Sequence, residues 1–217
     1  MDKLRLRFEK TGRAVYISHL DLMATMQRAF SRAGYRLQYS EGFNPHPLIS
    51  ILLPLSVGTA SVCELMDFRL HGEADLSALP MHLTDALPEG LRVLEAYPCG
   101  RKSAELKWLD VCGRLEYDRG LPDPEELAAF FAQPEIVIEK KTKRGIGMTD
   151  IRPAVDRISL CPEDGCIRLD ARISAQEPTL NPELLAGALR QLRPELAPDF
   201  AAFTRLETYD REHRIYR

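Results

Sequence analysis

The sequence lacks any long hydrophobic run. The longest apolar candidate, "LISILLPLSVG", is well short of the ~18 residues of a membrane-spanning segment, and Pro54 interrupts it. The opening stretch "MDKLRLRFEK" alternates charged and apolar side chains, unlike the apolar centre of a secretory signal. We therefore expect a cytoplasmic protein with no membrane association.

Cysteines are few, and their spacing fits neither a disulfide framework nor a metal site. There are five of them, an odd number, and in a reducing compartment all are expected to be thiols. Cys161 and Cys166 in "CPEDGC" would need two more ligands to hold zinc. No Cys-x-x-x-Cys-x-x-Cys occurs, so this chain is not expected to ligate the iron–sulfur cluster of a radical-SAM enzyme. We predict that the chain itself binds no metal and no cofactor.

Common catalytic and nucleotide-binding motifs are missing as well. No Gly-x-Ser-x-Gly elbow and no Walker loop occurs. "GIGMTD" has Asp150 where the dinucleotide fingerprint requires its third glycine. The sequence therefore offers no motif for a serine hydrolase, a P-loop enzyme or a dinucleotide-dependent enzyme.

The sequence contains enough apolar residues for a packed core. Its charged residues are unevenly distributed along the chain. Of its 217 residues, 45% are hydrophobic, and the formal net charge is −3. This length suits one large domain or two of about 100 residues. Up to Gly58 the chain has eight basic and four acidic residues, which is a weak indication of a basic surface.

The first half reads as β-α-β-β-α-β. "LRLRF" alternates with period two, which predicts a half-buried strand with arginines on its outer face. "SHLDLMATMQRAFSRAG" predicts an amphipathic helix with Ser18 as N-cap and Gly34 just beyond its end. "LISILLPLSVG" and "VCELMDFRL" predict two strands, and Pro54 indicates that the first is an edge strand or contains a bulge. A short helix from about Pro80 to Leu87 and the strand "LRVLEAYP" complete the series.

The second half repeats this order after the linker "GRKSAE", with extra residues in the middle. Its two helices are expected to begin at the N-caps Asp123 and Asn181, each followed by a proline at the first helical position. The β-α-β-β-α-β order is typical of the ferredoxin-like fold. We therefore predict an α+β protein of two tandem ferredoxin-like domains with antiparallel sheets, covering residues 1–100 and 104–217.

Candidate functional residues of the first half come from two short motifs. Pro45 and Pro47 restrict the backbone on both sides of His46, which suggests a pre-organised loop. His19 at the helix start is either a residue that packs near the cap, or a base or phosphate-contacting group. The helix itself separates these motifs by roughly 24 Å, so they meet only if the loop folds back along it. The predicted binding residues of this half are Ser18, His19, Asp21, Tyr39, Asn44 and His46.

A second candidate is the basic stretch "EKKTKRGIGMTDIRP". It is either a solvated hairpin tip or a phosphate-contacting loop in which Gly145 and Gly147 allow close backbone approach. Its predicted binding residues are Lys140, Lys141, Lys143, Arg144 and Arg152.

The motifs "SHLDL", "YSEGFNPHP" and "PLSVGTAS" resemble those of the radical-SAM-linked protein family, a domain of unknown function. Members look to be fused to, or encoded beside, a radical-SAM protein of the cobalamin-binding type. The resemblance implies a separate partner chain, which would carry an iron–sulfur cluster, S-adenosylmethionine and cobalamin. It assigns no reaction and no catalytic residue. The motif positions it covers are Ser18, His19, Asp21, Gly42, Asn44, Pro45, His46 and Pro47.

Three functions follow as hypotheses. In the first, the chain is a non-catalytic partner of a radical-SAM enzyme that binds and presents its substrate, with RNA favoured by the basic residues. Aromatic residues are only 7% of the chain, so arginine–phosphate contacts would have to dominate over stacking. In the second, the chain resembles the metal-independent CRISPR repeat-processing endoribonucleases, with His19 and either Tyr16 or Lys10 as acid and base. In the third, it is a pure protein-interaction module.

Overall fold

The computed structural model describes residues 3–142 and 145–217, and at residues 141 and 142 it describes only the backbone. These residues form a mixed α/β structure with four α-helices and mainly antiparallel sheet. The chain divides into two compact units, one reaching to Ser103 and the other covering Ala104–Tyr216. None of the helices in the described ranges combines the length and apolarity that crossing a membrane requires.

The first unit places its two helices in a β-α-β-β-α-β order. Its elements are β1 (Leu4–Lys10), α1 (His19–Arg32), β2 (Ile49–Ile51), β3 (Ala60–Phe68), α2 (Leu79–Asp85) and β4 (Leu91–Pro98). Strand β1 pairs antiparallel with β3 and β4, and β2 pairs antiparallel with β3. The spatial order is therefore β4-β1-β3-β2 within this unit.

Helix α1 begins and ends where its sequence predicts. The Ser18 side chain accepts a hydrogen bond from the Asp21 amide, so Ser18 is the N-cap, and Gly34 after the last turn has a φ of +82°. Leu22, Met26 and Phe30 follow one stripe and are buried. Phe30 packs against Phe68 of β3 with ring centroids 5.0 Å apart, so this stripe joins α1 to the sheet.

The predicted outer position of the β1 arginines is wrong for Arg5. Its side chain is fully buried, and its Nε and Nη2 donate to the two carboxylate oxygens of Asp67 at 2.6 and 3.3 Å. The register places Arg5 directly opposite Asp67 on β3. The alternation of "LRLRF" shows that the strand has two faces. It cannot show that a neighbouring strand places the Asp67 carboxylate beside Arg5 and so allows the guanidinium to be buried.

Strand β2 is shorter than the sequence predicts. Only Ile49–Ile51 pairs as a strand, whereas the apolar run continues to Gly58. Pro54 lacks the N–H that a strand position would donate, so the regular pairing stops before it. The position of Pro54 in the sequence therefore marks the end of the strand.

The second unit repeats the strand order of the first and adds a hairpin. Its elements are β5 (Leu106–Glu116), α3 (Pro124–Phe131), β6 (Val137–Thr142), β7 (Gly145–Asp150), β8 (Val155–Glu163), β9 (Cys166–Ser174), α4 (Glu183–Leu192) and β10 (Phe200–Asp210). Antiparallel pairs give the order β10-β5-β9-β8. Strands β6 and β7 form a separate two-stranded sheet between α3 and β8.

The helix starts of the second unit differ in how well the sequence locates them. Asp123 caps α3 by accepting from the Glu125 amide at 2.8 Å, as predicted. Helix α4 begins one residue later than predicted, with Pro182 at the cap position instead of the first turn. The Asn181 side chain still accepts a hydrogen bond from the Glu183 amide at 3.2 Å. Asn181 therefore caps the first amide of the helix, although it lies one residue before the N-cap position.

Tyr117, just after β5, gives a prediction on pH dependence. Its hydroxyl donates to the Leu196 carbonyl at 3.1 Å, and burial together with the nearby charge of Asp199 raises its pKa to about 12. Because an unfolded tyrosine ionises near 10, the folded state retains this proton longer, and the stabilising effect is lost as pH rises from about 10 to 12.

We expect denaturant unfolding of the wild type to show this loss of stability between about pH 10 and 12, and Tyr117→Phe to show less of it. A Tyr16→Phe variant serves as the control, because Tyr16 is 70% exposed. An equal decline in both variants and the wild type would contradict the assignment to Tyr117.

Candidate functional site

The "SHLD" motif closes the start of α1. The Ser18 hydroxyl donates to the Asp21 carboxylate at 2.7 Å and accepts from the Asp21 amide at 3.2 Å. This reciprocal contact accounts structurally for two of the three polar residues of the motif. The side chain of His19 lies exposed in the first turn, next to Leu20, which is 78% exposed.

Lys10 of β1 makes hydrogen bonds to the backbone just before α1. Its side chain is buried, and its ammonium donates to the carbonyls of Val15 and Ile17 at 3.1 Å each. Burial lowers the pKa of Lys10, while the charge of Glu64 opposes this shift. Lys10 therefore holds the backbone that leads into α1, and its ammonium is committed to that contact.

The loop containing "GFNPHP" is closed by bonds between its two ends. Ser40 donates its amide to the His46 carbonyl at 2.9 Å, and the Ser40 hydroxyl contacts the amide and Nδ1 of His46 at 3.1 and 2.8 Å. Between them Phe43 is fully exposed, and Asn44 is exposed beside it. The paired ends and the two prolines give a pre-organised loop that presents an aromatic ring to solvent.

The segment before this loop folds back along α1. The Tyr39 hydroxyl accepts from Nε2 of Gln27 at 3.2 Å, which places Tyr39 beside the middle of the helix. Gln27 lies eight residues after His19, or about 12 Å along the axis. His46 instead lines a cavity of about 530 Å³ with Lys3 and Arg69. Ser18, His19 and Asp21 are not among the residues that line it, so the two motifs do not build one pocket.

A larger groove runs between α1 and the extended segment that follows it; we call it the α1 groove. Its volume is about 790 Å³. The residues that line it are Ala24, Gln27, Arg28, Ser31, Gly34, Tyr35, Arg36, Leu37, Tyr39 and His71. Those on the helix are spaced i, i+3, i+4 and i+7, so they occupy one face. None of the lining residues is acidic, although the whole chain carries a net charge of −3.

The wall of the α1 groove opposite the helix is held by backbone and side-chain bonds. The His71 amide donates to the Arg36 carbonyl at 2.8 Å, which ties this wall to the residues after β3. The Tyr35 hydroxyl contacts Nδ1 of His82 on α2 at 2.9 Å. Burial, and secondarily the charge of Asp75, raises the pKa of Tyr35. Tyr35 therefore keeps a neutral phenol at physiological pH.

Sequence reasoning identified Tyr39 as a site residue but not its neighbours in the α1 groove. Arg28 is exposed and lies off the buried stripe of α1, and Arg36 is exposed in the segment after the helix. His71 joins them from more than 30 positions further along the chain. The off-stripe position of Arg28 was the one local signal, because it shows that the residue faces away from the core.

The basic stretch of the second unit is a hairpin whose cations do not all lie together. In the register of β6 and β7, Lys140 is opposite Gly147 and Lys141 is opposite Ile146. Lys143 and Arg144 lie outside the described residues. Arg152 comes after the base of the hairpin, and its guanidinium donates to the Val155 carbonyl at 2.7 Å. Three residues of strand, roughly 10 Å, separate the level of Gly147 from the end of β7 at Asp150, and Arg152 begins the turn beyond it.

No group of three or more His, Cys, Asp or Glu side chains in the described part of the chain could hold a metal ion. The described cysteines are unbridged.

Comparison with known proteins gives one family match and a similarity of fold. The family model described as "Uncharacterized protein conserved in bacteria (DUF2344)" matches residues 3–193. No curated protein matches. A chain of the solved structure titled "Crystal Structure of a Cbf5-Nop10-Gar1 Complex" is 9% identical with a TM-score of 0.55. The match covers 94% of this chain and 48% of that one, about half of its length. This likeness concerns the fold alone.

A second solved structure, an unknown protein from Galdieria sulphuraria, is 11% identical. The match covers 94% of this chain and 98% of that chain, with a TM-score of 0.27. A TM-score at this level supports no argument.

Proposed function

The chain belongs to the family of uncharacterized proteins conserved in bacteria (DUF2344), and we propose that it is a non-catalytic partner of a radical-SAM enzyme. In this role it binds the substrate of the enzyme, an RNA, and presents it for reaction. The resemblance of "SHLDL" and "YSEGFNPHP" to radical-SAM-linked proteins supports the link to such an enzyme. The partner would carry the iron–sulfur cluster, S-adenosylmethionine and cobalamin.

We also propose that each of the two units is a ferredoxin-like domain. The strand orders β4-β1-β3-β2 and β10-β5-β9-β8 support this assignment, because a β-α-β-β-α-β chain of this fold places its first and third strands at the centre of the sheet. In the second unit the β6–β7 hairpin is then an insertion between the first helix and the second strand of the domain.

The observation that carries the RNA proposal is the composition of the α1 groove. Arg28 and Arg36 supply guanidinium groups, and Tyr35 and Tyr39 supply aromatic rings, with no carboxylate among the lining residues. Guanidinium groups pair with phosphate oxygens, and aromatic rings stack on unpaired bases. A groove with both groups and no competing acid suits a single-stranded, polyanionic ligand better than an acidic or apolar one.

The structure argues against Lys10 as an acid or base in the endoribonuclease hypothesis. Lys10 is buried and donates to two backbone carbonyls, so its ammonium does not face a substrate. His19 and Tyr16 are exposed, and within residues 3–142 and 145–217 no hydrogen bond orients them as an acid and base pair. We therefore assign no catalytic role to this chain.

An exposed apolar patch favours docking of a partner protein as a second role. Tyr16 and Leu20 are exposed at the start of α1, and the Gly58 amide donates to the Val15 carbonyl, which brings exposed Val57 beside them. Exposed apolar residues that cluster in this way are typical of protein–protein contacts. The patch would serve the radical-SAM partner, while the α1 groove serves the RNA.

The RNA proposal is tested by fluorescence anisotropy of labelled single-stranded RNA at two salt concentrations. We expect salt-sensitive binding by the wild type and about 10-fold weaker binding by the double variant Arg28→Ala/Arg36→Ala. The salt dependence should also fall, with a slope lower by about 1.4 for the two lost phosphate contacts.

Arg13→Ala/Arg92→Ala is the matched control, because it removes two exposed arginines of the same unit that do not line the α1 groove. We expect its affinity to stay within about twofold of the wild type. Equal losses in the two double variants, or no salt-sensitive binding by the wild type, would refute RNA binding in this groove.

A further inference from the structure

In the second unit, the sheet formed by β10, β5, β9 and β8 has one face that packs on the core and one that carries mainly polar side chains. Along β5, Leu109, Val111 and Leu115 are buried, while Trp108 and Asp110 alternate with them on the opposite face. Trp108 is the single tryptophan of the chain. A large ring at this position is unusual because the other residues of this face are mostly charged or small polar ones.

Aromatic rings and a guanidinium form a stack at one end of this face. The rings of Trp108 and His213 are parallel, with centroids 5.6 Å apart and an interplanar angle of 12°. Tyr209 lies directly opposite Trp108 on the neighbouring strand β10. The guanidinium of Arg172 lies 4.0 Å from the centre of the Tyr209 ring. We call these four residues the ring cluster.

His213 is held in place by the turn that follows β10. Its backbone has a φ of +58°, a conformation that is rare for residues other than glycine. The Asp210 carboxylate supports this turn by accepting from the amides of Glu212 and Arg214 at 2.9 and 3.0 Å. A guanidinium only donates, so Nδ1 of His213, 3.1 Å from Nη1 of Arg172, is the acceptor. The ring is thus oriented, yet its side chain remains 42% exposed.

Cations surround one carboxylate beside the ring cluster. Asp110 accepts from Arg172 at 2.7 and 2.9 Å, from Arg157 at 3.0 Å and from the Tyr209 hydroxyl at 2.9 Å. Burial alone would raise the pKa of Asp110, but these hydrogen bonds outweigh it and the pKa is lowered. Two guanidinium groups therefore share the Asp110 carboxylate, while Asp156 lies 3.9 Å from Nδ1 of His213 and Asp170 lines the adjoining cavity. The side chain of Arg157 is 63% exposed, and a cavity of about 330 Å³ adjoins it.

We propose that the ring cluster is a second RNA contact, where an unpaired base stacks on the exposed face of His213 and a neighbouring phosphate pairs with Arg157. This inference rests on the proposed RNA-binding function and adds a site in the second unit. His213 and Trp108 would continue the stack of the base, as aromatic platforms do in single-strand binding. Stacking on the ring and pairing with Arg157 are separable, because stacking needs the aromatic face of His213 whereas pairing with a phosphate needs the guanidinium of Arg157.

The single tryptophan makes this site directly observable. We expect unlabelled single-stranded RNA to change the intrinsic fluorescence of Trp108 in the wild-type protein, at the same concentrations at which labelled RNA binds by anisotropy. His213→Ala should weaken binding about 10-fold without changing its salt dependence. Arg157→Ala should lower the slope of the salt dependence by about 0.7.

Arg211→Ala is the matched control, because Arg211 lies two residues away in the same turn and is 71% exposed. It removes a full charge and no stacked ring. A larger loss for His213→Ala than for Arg211→Ala supports stacking, and an equal loss refutes it.

The outcomes separate the two RNA sites. RNA binding that depends on Arg28 and Arg36 but leaves Trp108 fluorescence and the His213→Ala affinity unchanged would overturn the ring cluster and leave the α1 groove proposal standing. No salt-sensitive RNA binding by anisotropy in the wild type would overturn both.

Discussion

Asp67→Ala should lower the free energy of unfolding by about 3–5 kcal/mol, the range expected when one partner of a buried ion pair is removed. The variant leaves the guanidinium of Arg5 fully buried without the carboxylate to which it donates two hydrogen bonds. Lys3 also contacts this carboxylate and loses its partner. Chemical denaturation of the wild type and the variant, monitored by circular dichroism, gives the difference.

The control for this prediction is Glu95→Ala. Glu95 also accepts from an arginine of β1, Arg7, at 3.1 Å, but its side chain is half exposed. An exposed pair of this kind contributes roughly 0–1 kcal/mol. We therefore expect a loss several times smaller than that of Asp67→Ala, because the Glu95 side chain is half exposed and that of Arg7 retains 19% exposure, whereas that of Arg5 has none.

A double variant tests the mechanism. If the cost of Asp67→Ala arises from an unpaired buried charge, Arg5→Met/Asp67→Ala should be more stable than Asp67→Ala alone, since the charge is gone. A double variant that is less stable than Asp67→Ala would show that the packing of the arginine stem, and not the charge, dominates. A loss below about 1 kcal/mol for Asp67→Ala would contradict the ion-pair explanation altogether.

Gly90→Ala should be the second severe change, with a loss of about 2–4 kcal/mol from backbone strain and overpacking together. Gly90 precedes β4 and has a φ of +89°, in the region that disfavours side chains. A Cβ there would lie 2.5 Å from the carbonyl oxygen of Thr11 and 2.9 Å from the Cβ of Ala14. The Thr11 amide donates to the Gly90 carbonyl at 2.8 Å, so the two segments cannot separate without losing that bond.

Gly72→Ala separates the two causes. Gly72 has a similar φ of +80°, but no atom lies within 4 Å of the position that a Cβ would take. This variant should show backbone strain alone, about 1 kcal/mol. The difference between the two variants in denaturant unfolding then measures the steric contact with Thr11 and Ala14. Equal losses at both positions would contradict a contribution from packing.

Several local features of this fold were predicted from neighbouring residues alone. The cap of α1 at Ser18, the cap of α3 at Asp123 and the bounds of β4 all follow from patterns a few residues long, and the structure confirms them. These patterns succeed because a cap satisfies amides within the next three residues, and because strand alternation depends on the pleat of a single strand. The β6–β7 pairing was predicted only as one of two alternatives for the basic stretch.

The surfaces proposed to bind RNA were harder to predict, because their members are distant in sequence. The α1 groove joins Arg28 to His71, and the ring cluster joins Trp108 to His213 across more than 100 positions. The low aromatic content led to the expectation that stacking would be minor. That expectation remains a prediction, and the percentage of aromatic residues does not show that strand register places Tyr209 opposite Trp108.

The sequence by itself determined the caps of α1 and α3 and that the α-β order occurs twice, because each of these depends on local patterns. Only the tertiary structure decided that Arg5 is buried against Asp67 and that the groove beside α1 contains no acid. The physical reason is that burial and charge pairing depend on which strands and helices become neighbours, and that choice is made by the whole core.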